Sequence, residues 1–354
     1  MSASLQIDRV EVSFGQVKVL KGVSLDVKPG EFVALLGSSG CGKTTLLRSI
    51  SGFVAVEKGA IRVDAADVTR LPPERRNMAM VFQSYALWPH MTAAQNIGYG
   101  LKLRRVPKAD ARARVDEVLA MLKLEGLGGR MVGQLSGGQR QRVALGRALA
   151  INPRILLLDE PLSNLDARIR EDVRHEIKAL QKSLGITAIH VTHDREEAMV
   201  MADRIVILDA GTIAQQGAPE EIYNRPASPF VAAFLGAANA IRLTAHPEAG
   251  ATRIEAGPFN ATARVAGADG LAGAVVAHFR SEAAELVEPG ADCGDDLVLR
   301  GQVRQVSYPG GFWRYAVAVG EQEFMVDDER RREPGAPVGI RLASSAVHLF
   351  PDRR

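Results

Sequence analysis

The sequence predicts an α/β domain with a mostly parallel sheet, followed by a smaller domain of antiparallel β structure. Through the first 235 residues, short and continuously apolar runs alternate with helix-like stretches, as in parallel sheets covered by helices on both faces. After residue 236, short β-rich runs separated by glycine turns replace this alternation. The expected domains are therefore 1–235 and 236–354.

The composition is that of an ordinary globular protein, with 46% hydrophobic and 24% charged residues, which excludes disordered and collagen-like classes. The 44 basic and 41 acidic residues leave a net charge of +3, so no nucleic-acid partner is expected. Two cysteines, Cys41 and Cys293, cannot form a disulfide framework and are typical of a reducing compartment. Because no apolar stretch approaches ~18 residues and the first residues lack a signal-peptide pattern, we expect a cytoplasmic chain that reaches a membrane only through partners.

Seven segments are the candidate strands of the first domain. Residues 5–14 alternate imperfectly between apolar and polar, 23–27 form a second short strand, and the buried-strand candidates are 32–36, 78–82, 155–158, 187–191 and 205–208. Between residues 83 and 135 the pattern changes. Residues 109–123 are charged on one side and apolar at helical spacing on the other. This segment predicts a helical insert, about residues 84–150, within the α/β domain.

A glycine-rich loop follows the apolar run 32–36 and precedes a helix-like stretch. Residues 37–44 read Gly-Ser-Ser-Gly-Cys-Gly-Lys-Thr, the pattern of a phosphate-binding loop, or P-loop. Glycines let backbone N–H groups approach phosphate oxygens, and the helix directs its positive end at the anion. Lys43 is placed to reach the β- and γ-phosphates, and the Thr44 hydroxyl to bind Mg²⁺. The predicted class is a P-loop NTPase, with nucleotide contacts from Gly37, Ser38, Ser39, Gly40, Cys41, Gly42, Lys43, Thr44 and Thr45.

Cys41 lies inside this loop, beside Lys43 and near a helix N-terminus, and both neighbours favour the thiolate. We therefore expect thiol alkylation to block nucleotide hydrolysis, and bound ATP to protect.

Two acidic residues end the apolar run 155–158. Ligands of α/β proteins bind at the carboxyl ends of strands, where Asp159 and Glu160 lie. Asp159 is expected to hold Mg²⁺ through water, and Glu160 to polarise the attacking water as a general base. An acidic strand end that merely faces solvent is the competing interpretation.

Residues 135–139 read Leu-Ser-Gly-Gly-Gln, directly before a helix-like stretch that extends to Ala150. A serine hydroxyl, two bare glycine backbones and a helix start form a second anion-binding terminus, although Ser136 could also cap the helix without conflict. With this segment, residues 4–235 resemble the ABC ATPase family. In that family the turn binds the γ-phosphate held by the other subunit's P-loop, which implies this role in trans for Leu135, Ser136, Gly137, Gly138 and Gln139.

Further positions follow from the same resemblance. Gln83 resembles the Q-loop glutamine that contacts Mg²⁺ or the attacking water, and His193 the switch histidine that contacts the γ-phosphate. Phe14 occupies the aromatic position expected to stack on adenine, where many relatives have tyrosine and where a core phenylalanine is the alternative. Residues that resemble the D-loop, which crosses the dimer interface, are Ser163, Asn164, Leu165 and Asp166. The resemblance thus implies ATP and Mg²⁺ as ligands, with Thr44, Gln83 and Asp159 near the metal.

One chain has a single P-loop and a single signature turn (residues 135–139). If the signature turn must complete a site on another copy, the active unit is a head-to-tail homodimer or a pair of ATPase subunits. ATP then joins the two subunits, because its phosphates satisfy two helix termini at once.

Three further segments suggest that the chain is part of an importer. Residues 83–92 resemble the importer segment that leads to the region receiving a coupling helix from the permease, with Trp88 where phenylalanine is usual. Residues 219–236 also resemble these importers. Residues 236–354 resemble a small OB-like, all-β domain of the TOBE type, and Ser281 replaces the usual proline of its Phe-Arg-Pro-Glu segment. The resemblance implies permease partners, an extracytoplasmic solute-binding protein acting indirectly, and a place on the cytoplasmic face of the inner membrane.

The alternative is a soluble ABC ATPase of DNA repair or translation. Repair members carry a long coiled coil, which the segment between Gln83 and Leu135 lacks, and translation members carry two ATPase modules in each chain. An exporter half would need spanning helices of its own. Within the importers, polyamine, ferric iron or phosphonate uptake is favoured over sugar uptake. The TOBE-type domain is expected to support dimer contacts or regulation, or only to pack.

Overall fold

The computed structural model describes residues 2–248, 251–255, 262–266, 271–291 and 293–352. The chain forms two compact units, residues 1–222 and 223–354. The structural division at 222/223 falls 13 residues before the 235/236 boundary that the composition predicts. The domain boundaries 1–235 and 236–354 stay a prediction. The remaining parts of the predicted second domain, 249–250, 256–261, 267–270, 292 and 353–354, lie outside the described residues.

The first unit contains ten strands and most of the helices. Its strands are β1 (Leu5–Phe14), β2 (Val17–Val27), β3 (Phe32–Gly37), β4 (Lys58–Val63), β5 (Ala66–Asp67), β6 (Met78–Val81), β7 (Ile155–Asp159), β8 (Thr187–Val191), β9 (Arg204–Asp209) and β10 (Thr212–Gly217). Its helices are α1 (Lys43–Ser51), α2 (Ala93–Leu103), α3 (Lys108–Met121), α4 (Gly137–Ala150), α5 (Ala167–Leu184), α6 (Arg195–Met201) and, at the division between the units, α7 (Pro219–Asn224).

Two sheets organise this unit. The central sheet has the order β10-β9-β3-β8-β7-β6, and all its pairings are parallel except β10 with β9. A separate antiparallel sheet has the order β2-β1-β4-β5. The predicted parallel sheet is therefore confirmed, whereas composition did not predict that the first two strands would form a sheet of their own. The reason is that β1 alternates in burial, as an antiparallel strand with one solvated face does.

Alternate residues of the central strands serve two different hydrophobic cores. On β7, Ile155 and Leu157 pack with α1 and the antiparallel sheet, whereas Leu156 and Leu158 pack with the helical region. Both faces of β7 and β8 are buried along their whole length, because side chains of a strand alternate between its faces. This double burial explains why these strands read as continuous apolar runs in the sequence.

Helix α1 ends against a buried arginine. Gly52 terminates the helix in the left-handed region, at φ 87°, and a side chain there would meet the Arg76 guanidinium. Arg76 is only 4% exposed and donates hydrogen bonds of 2.8 Å to the carbonyl oxygens of Ser49, Ile50, Thr69 and Leu71. One cation thus satisfies helix-end carbonyls that would otherwise lack donors.

We expect Arg76→Met to lower the free energy of unfolding of the first unit by about 3–5 kcal/mol, since it leaves several buried carbonyls without donors. Urea unfolding followed by circular dichroism measures the change. Arg75→Met is the matched control, because Arg75 is exposed, and it should change stability by less than about 0.5 kcal/mol. Equal effects of the two substitutions would contradict a structural role specific to Arg76.

The predicted helical insert is present as α2, α3 and α4. Two of these helices begin with a reciprocal capping box, formed by Thr92 with Gln95 and by Ser136 with Gln139. In each box the hydroxyl accepts from the third residue's N–H and that residue's amide oxygen accepts from the cap N–H. The start of α4 is thereby fixed by two of its own residues, Ser136 and Gln139.

The second unit is almost entirely β structure. After helix α8 (Pro229–Phe234) come β11 (Asn239–Glu248), β12 (Ala251–Glu255), β13 (Thr262–Ala266), β14 (Gly273–Phe279), β15 (Ala284–Val287), β16 (Leu297–Ser307), β17 (Trp313–Val319), β18 (Gln322–Asp328), β19 (Pro337–Leu342) and β20 (His348–Pro351).

These strands form two five-stranded antiparallel sheets, β13-β12-β11-β14-β20 and β15-β19-β16-β17-β18, around one hydrophobic core. The short β-rich runs expected after residue 236 are present, and β16 and β17 pair as an antiparallel hairpin. Among the described residues, no helix has the length and apolar character that a bilayer crossing requires.

Candidate nucleotide site

The P-loop connects β3 to α1 at the carboxyl edge of the central sheet. Two of its glycines are needed for steric reasons. A Cβ on Gly37 would stand 2.4 Å from the Leu208 carbonyl oxygen, and one on Gly42, at φ 109°, would stand 2.8 Å from Leu20. The loop can therefore curl tightly enough to direct backbone N–H groups at one point only with glycine at both positions.

Lys43 begins α1 and is 6% exposed. Its Nζ donates to the carbonyl oxygens of Gly37 at 2.7 Å and Ser38 at 3.0 Å, so the ammonium group lies across its own loop. A nearly buried cation held by carbonyl dipoles is a strong attractor for phosphate oxygens.

Cys41 differs from the expectation drawn from its sequence position. Its side chain is 3% exposed and belongs to the core cluster that includes Leu46 and Leu47. Sγ lies 3.8 Å from Lys43 Nζ. This burial opposes access of an alkylating reagent to the thiol, and the block of hydrolysis by alkylation of Cys41 stays a prediction. Only the backbone of Cys41 remains a candidate phosphate contact.

Thr44, Asp159 and Arg48 converge beside the loop. Thr44 Oγ1 lies 3.3 Å from Asp159 Oδ1, and an Arg48 guanidinium nitrogen lies 3.7 Å from Oδ2. Burial raises the pKa of the Asp159 carboxyl, while Arg48 and the Thr44 hydroxyl act in the opposite direction. Sequence reasoning missed Arg48, although its position one helical turn after Thr44 could have revealed it.

The oxygen donors at this point fit a magnesium ion. Mg²⁺ usually takes one or two carboxylates together with substrate phosphates and waters, rather than a cage of protein ligands. Here a hydroxyl and one buried carboxylate lie together, and Gln83 lines the same cleft of about 330 Å³. Among the described residues no cluster of three or more His, Cys, Asp or Glu side chains is placed to hold a metal ion.

Glu160 follows Asp159 in a left-handed conformation, at φ 45°, which is unusual for a residue with a side chain. Its backbone N–H donates to the Val191 carbonyl on the neighbouring strand at 3.1 Å. Its Oε2 then lies 3.3 Å from His193 Nδ1 and 3.4 Å from Gln83 Nε2. The structure therefore brings together three predicted residues from three different strand ends.

The segment 163–166 is bonded to the same edge. Ser163 Oγ donates to the Glu160 carbonyl at 3.0 Å, and Asn164 Nδ2 donates to the Gln83 carbonyl at 2.7 Å. Leu165 is buried, and Asp166 caps α5 by accepting from the Ile169 N–H. The bond from Asn164 to Gln83 was not foreseen, because the partners are 81 positions apart.

A buried polar network lies behind His193. His190 is fully buried, and its Nε2 lies 3.1 Å from Glu197 Oε2, which also accepts from Thr192 Oγ1 at 2.7 Å. Burial by itself would raise the pKa of Glu197, but the hydrogen bonds of His190 and Thr192 and the charge of Arg174 lower it overall. The turn that carries His193 is thereby fixed to the start of α6.

Two predicted elements remain apart from this cluster. Ser136 is exposed at the start of α4, and within the described part of the chain no hydrogen bond joins residues 135–139 to residues 37–45. Phe14 ends β1 with its ring 55% exposed, where it could meet a flat ligand from solvent.

The fold and this site define a P-loop nucleotide hydrolase. A family model described as ABC transporter matches residues 20–163, and one described as TOBE domain matches residues 279–350. The chain is 43% identical over 333 residues to the Fe(3+) ions import ATP-binding protein FbpC of Agrobacterium fabrum, a match covering 92% of this chain and 91% of that protein.

Two further relatives match over a shorter span. The spermidine/putrescine import ATP-binding protein PotA of Bacillus thuringiensis is 49% identical over 242 residues, 68% of this chain and 74% of that protein. The sulfoquinovosyl glycerol transport ATP-binding protein SmoE of Agrobacterium fabrum is 51% identical over 235 residues, 66% of each chain.

The chain belongs to the ABC transporter family, as an importer-type ATP-binding subunit with an ABC ATPase domain followed by a TOBE domain. The predicted resemblance, fold class and enzyme class are thereby confirmed, and the interpretation as a DNA-repair or translation ATPase is not favoured.

Proposed function

We propose that this chain binds ATP with Mg²⁺ at the P-loop and hydrolyses it with Glu160 as the general base. The observation that carries the proposal is the position of the Glu160 carboxylate, within 3.4 Å of both His193 and Gln83 and next in sequence to Asp159. A carboxylate held between an imidazole and an amide at the end of a strand can orient a water molecule for attack on phosphorus.

Each remaining residue has a distinct part in this mechanism. Lys43 exchanges its carbonyl partners for β- and γ-phosphate oxygens, and the loop N–H groups bind the same anion. Thr44, Asp159 and Gln83 would hold Mg²⁺, which supplies charge neutralisation on the phosphates when bound. Glu160 accepts the proton of the attacking water, and His193 is placed to contact the γ-phosphate. The nucleotide-contacting residues that we propose are those predicted from the sequence, Phe14, 37–45 and Gln83.

Completion of the site requires a second copy. Because Ser136 is exposed and not bonded to its own P-loop, the signature turn is available to a nucleotide on another subunit. Two chains arranged head to tail would form two such sites, with the 163–166 segments near the junction. Closure around ATP and opening after loss of the γ-phosphate would convert hydrolysis into movement.

A permease is the expected partner of the helical region. An apolar groove of about 410 Å³ lies there, lined among others by Phe53, Met80, Trp88, Tyr99 and Ile151. A groove of this character fits the apolar face of a short helix. We place the chain on the cytoplasmic face of the membrane, held by permease subunits, with a solute-binding protein acting on the far side.

The solute is proposed only by class. The relatives are named for ferric iron, spermidine and putrescine, and sulfoquinovosyl glycerol. We favour a polyamine, ferric iron or a phosphonate. The experiment is reconstitution with the co-expressed permease and binding protein, where the correct solute should stimulate ATP hydrolysis. Sedimentation with membranes in the absence of any permease would contradict the peripheral arrangement.

Phe14→Ala is expected to raise the Kd for ATP about tenfold, because stacking of a base on an aromatic ring is worth ~1–3 kcal/mol. Isothermal titration with ATP measures this change. Tyr308→Ala is the control, since Tyr308 is equally exposed but lies in the second unit. An unchanged Kd for Phe14→Ala would show that Phe14 is only a surface residue of the β1–β2 hairpin and does not contact ATP.

A further inference from the structure

Arg147 connects the helix of the signature turn to the segment that follows Gln83. It lies in α4 and donates hydrogen bonds to the carbonyl oxygens of Tyr85, at 2.7 Å, and Ala86, at 2.6 Å. Its guanidinium carbon also lies 4.8 Å from the centre of the Trp88 ring. Burial lowers the pKa of this arginine, and within the described residues no carboxylate forms an ion pair with it.

The segment 85–88 needs such an external partner. Tyr85 and Ala86 are consecutive residues with side chains, and both adopt left-handed backbone conformations, at φ 63° and 46°. Conformations of this kind are unfavourable for residues other than glycine and persist only when the surrounding structure imposes them. Arg147 binds the carbonyl oxygens of both residues with one planar group, so α4 contributes directly to holding this conformation.

Beyond the strained pair, the same segment forms one wall of the apolar groove. Trp88 packs on Tyr99, with ring centres 4.1 Å apart, and its backbone exchanges hydrogen bonds with the buried Asn96. Trp88 and Arg147 both line the groove. Any displacement of Arg147 therefore alters the groove wall directly. At its other end, the segment 85–88 begins two residues after Gln83.

We propose that Arg147 is a positioning residue that transmits the position of α4 to the groove through the strained segment 85–88. A helix is rigid along its axis, and the exposed end of α4 is Ser136. Contact of Ser136 with a nucleotide on another subunit would shift α4, and Arg147 carries this shift to Tyr85, Ala86 and Trp88. The groove thus senses the partner's nucleotide as well as its own, through a route separate from Gln83. This inference rests on the proposed function.

Trp88 supplies the test, because the chain has only two tryptophans. In a Trp313→Phe background the emission of Trp88 is observed alone. The full-length protein is titrated with the non-hydrolysable analogue AMP-PNP and Mg²⁺. We expect the emission to change by ~20% or more, because the ring loses or gains its cationic neighbour. Arg147→Met should remove most of this change while the Kd for AMP-PNP, measured by calorimetry, stays within about twofold.

Two further variants sharpen the result. Ser136→Glu should also remove the emission change, because a negative charge at the start of α4 repels the partner's γ-phosphate. Arg104→Met is the matched control, because Arg104 also donates to a carbonyl, that of Ile151, but does not touch segment 85–88, and it should preserve the change. If Arg147→Met does not fold, Arg147→Lys, which cannot bind two carbonyls with one planar group, should show a reduced change.

The proposal is overturned if the Trp88 response persists in Arg147→Met, if it persists in Ser136→Glu, or if AMP-PNP binds and Trp88 does not respond in the parent. Absence of AMP-PNP binding in the parent protein would instead contradict the proposed function. Calorimetry separates these two failures, since it reports binding without reference to Trp88.

Discussion

Glu160→Gln is expected to reduce ATP turnover by about 10²–10⁴-fold, the contribution usual for a general base, while leaving ATP binding nearly unchanged. The amide keeps the size and hydrogen-bonding capacity of the carboxylate but cannot accept the proton of the attacking water. Its neighbours His193 and Gln83 remain in place to hold the γ-phosphate end of the site.

The same substitution should accumulate a closed dimer in the presence of ATP. If hydrolysis opens the dimer, blocking hydrolysis traps it, and size-exclusion chromatography with MgATP should show a dimer where the parent is mainly monomeric. Glu125→Gln, at an exposed position in the helical region, is the control and should hydrolyse ATP normally. Near-normal hydrolysis by Glu160→Gln would remove Glu160 from the role of base.

The second large expected effect is recovery of ATP hydrolysis when two inactive variants are mixed. Lys43→Ala removes the cation of the P-loop, and Ser136→Glu places a negative charge where a γ-phosphate should bind. Each homodimer is expected to hydrolyse ATP at less than about 1% of the parent rate, because both of its sites contain one defect. ATPase assays on the separate variants establish this baseline.

An equimolar mixture should recover about a quarter of the parent's intact sites, since half of the dimers are mixed and each mixed dimer has one intact site. That site joins the P-loop of the Ser136→Glu chain to the signature turn of the Lys43→Ala chain. A signature turn acting on its own P-loop would leave both chains inactive in every combination. Absence of recovery in the mixture would therefore contradict completion of the site in trans.

Much of the fold could be predicted from the sequence, because a strand that is buried on both faces is a nearly continuous run of apolar residues. Residues 155–158 are apolar throughout and 187–191 are polar only at Thr187 and His190, and these two segments form β7 and β8. The antiparallel sheet that contains β1 was less visible, since its pairing with β4 joins residues that are 47 to 58 positions apart in the sequence. The sequence pattern indicates that a strand exists, whereas its partner is selected by the packing of whole layers.

The candidate site also combines features that the sequence predicts with features that only the folded chain shows. Motifs whose chemistry depends on adjacent residues were legible in the sequence, because a phosphate-binding loop is formed by the backbone between one strand and one helix. The bond of Asn164 to the Gln83 carbonyl and the contacts of Arg147 join distant segments, so no local pattern indicates them. Cys41 illustrates the opposite case, because its sequence neighbours indicate a reactive thiol whereas its side chain packs in a hydrophobic core.

The sequence by itself determined the class of enzyme, the order of its two parts and the residues proposed to meet the nucleotide, because these depend on short segments with fixed internal geometry. Only the tertiary structure decided which distant groups support those residues: the pair that Glu160 lies between, the arginine that holds α1, and the strained turn held by Arg147. Such contacts form when strand ends and helices from separate parts of the chain meet at one edge of a sheet, and this meeting is a property of the packed layers rather than of any local segment.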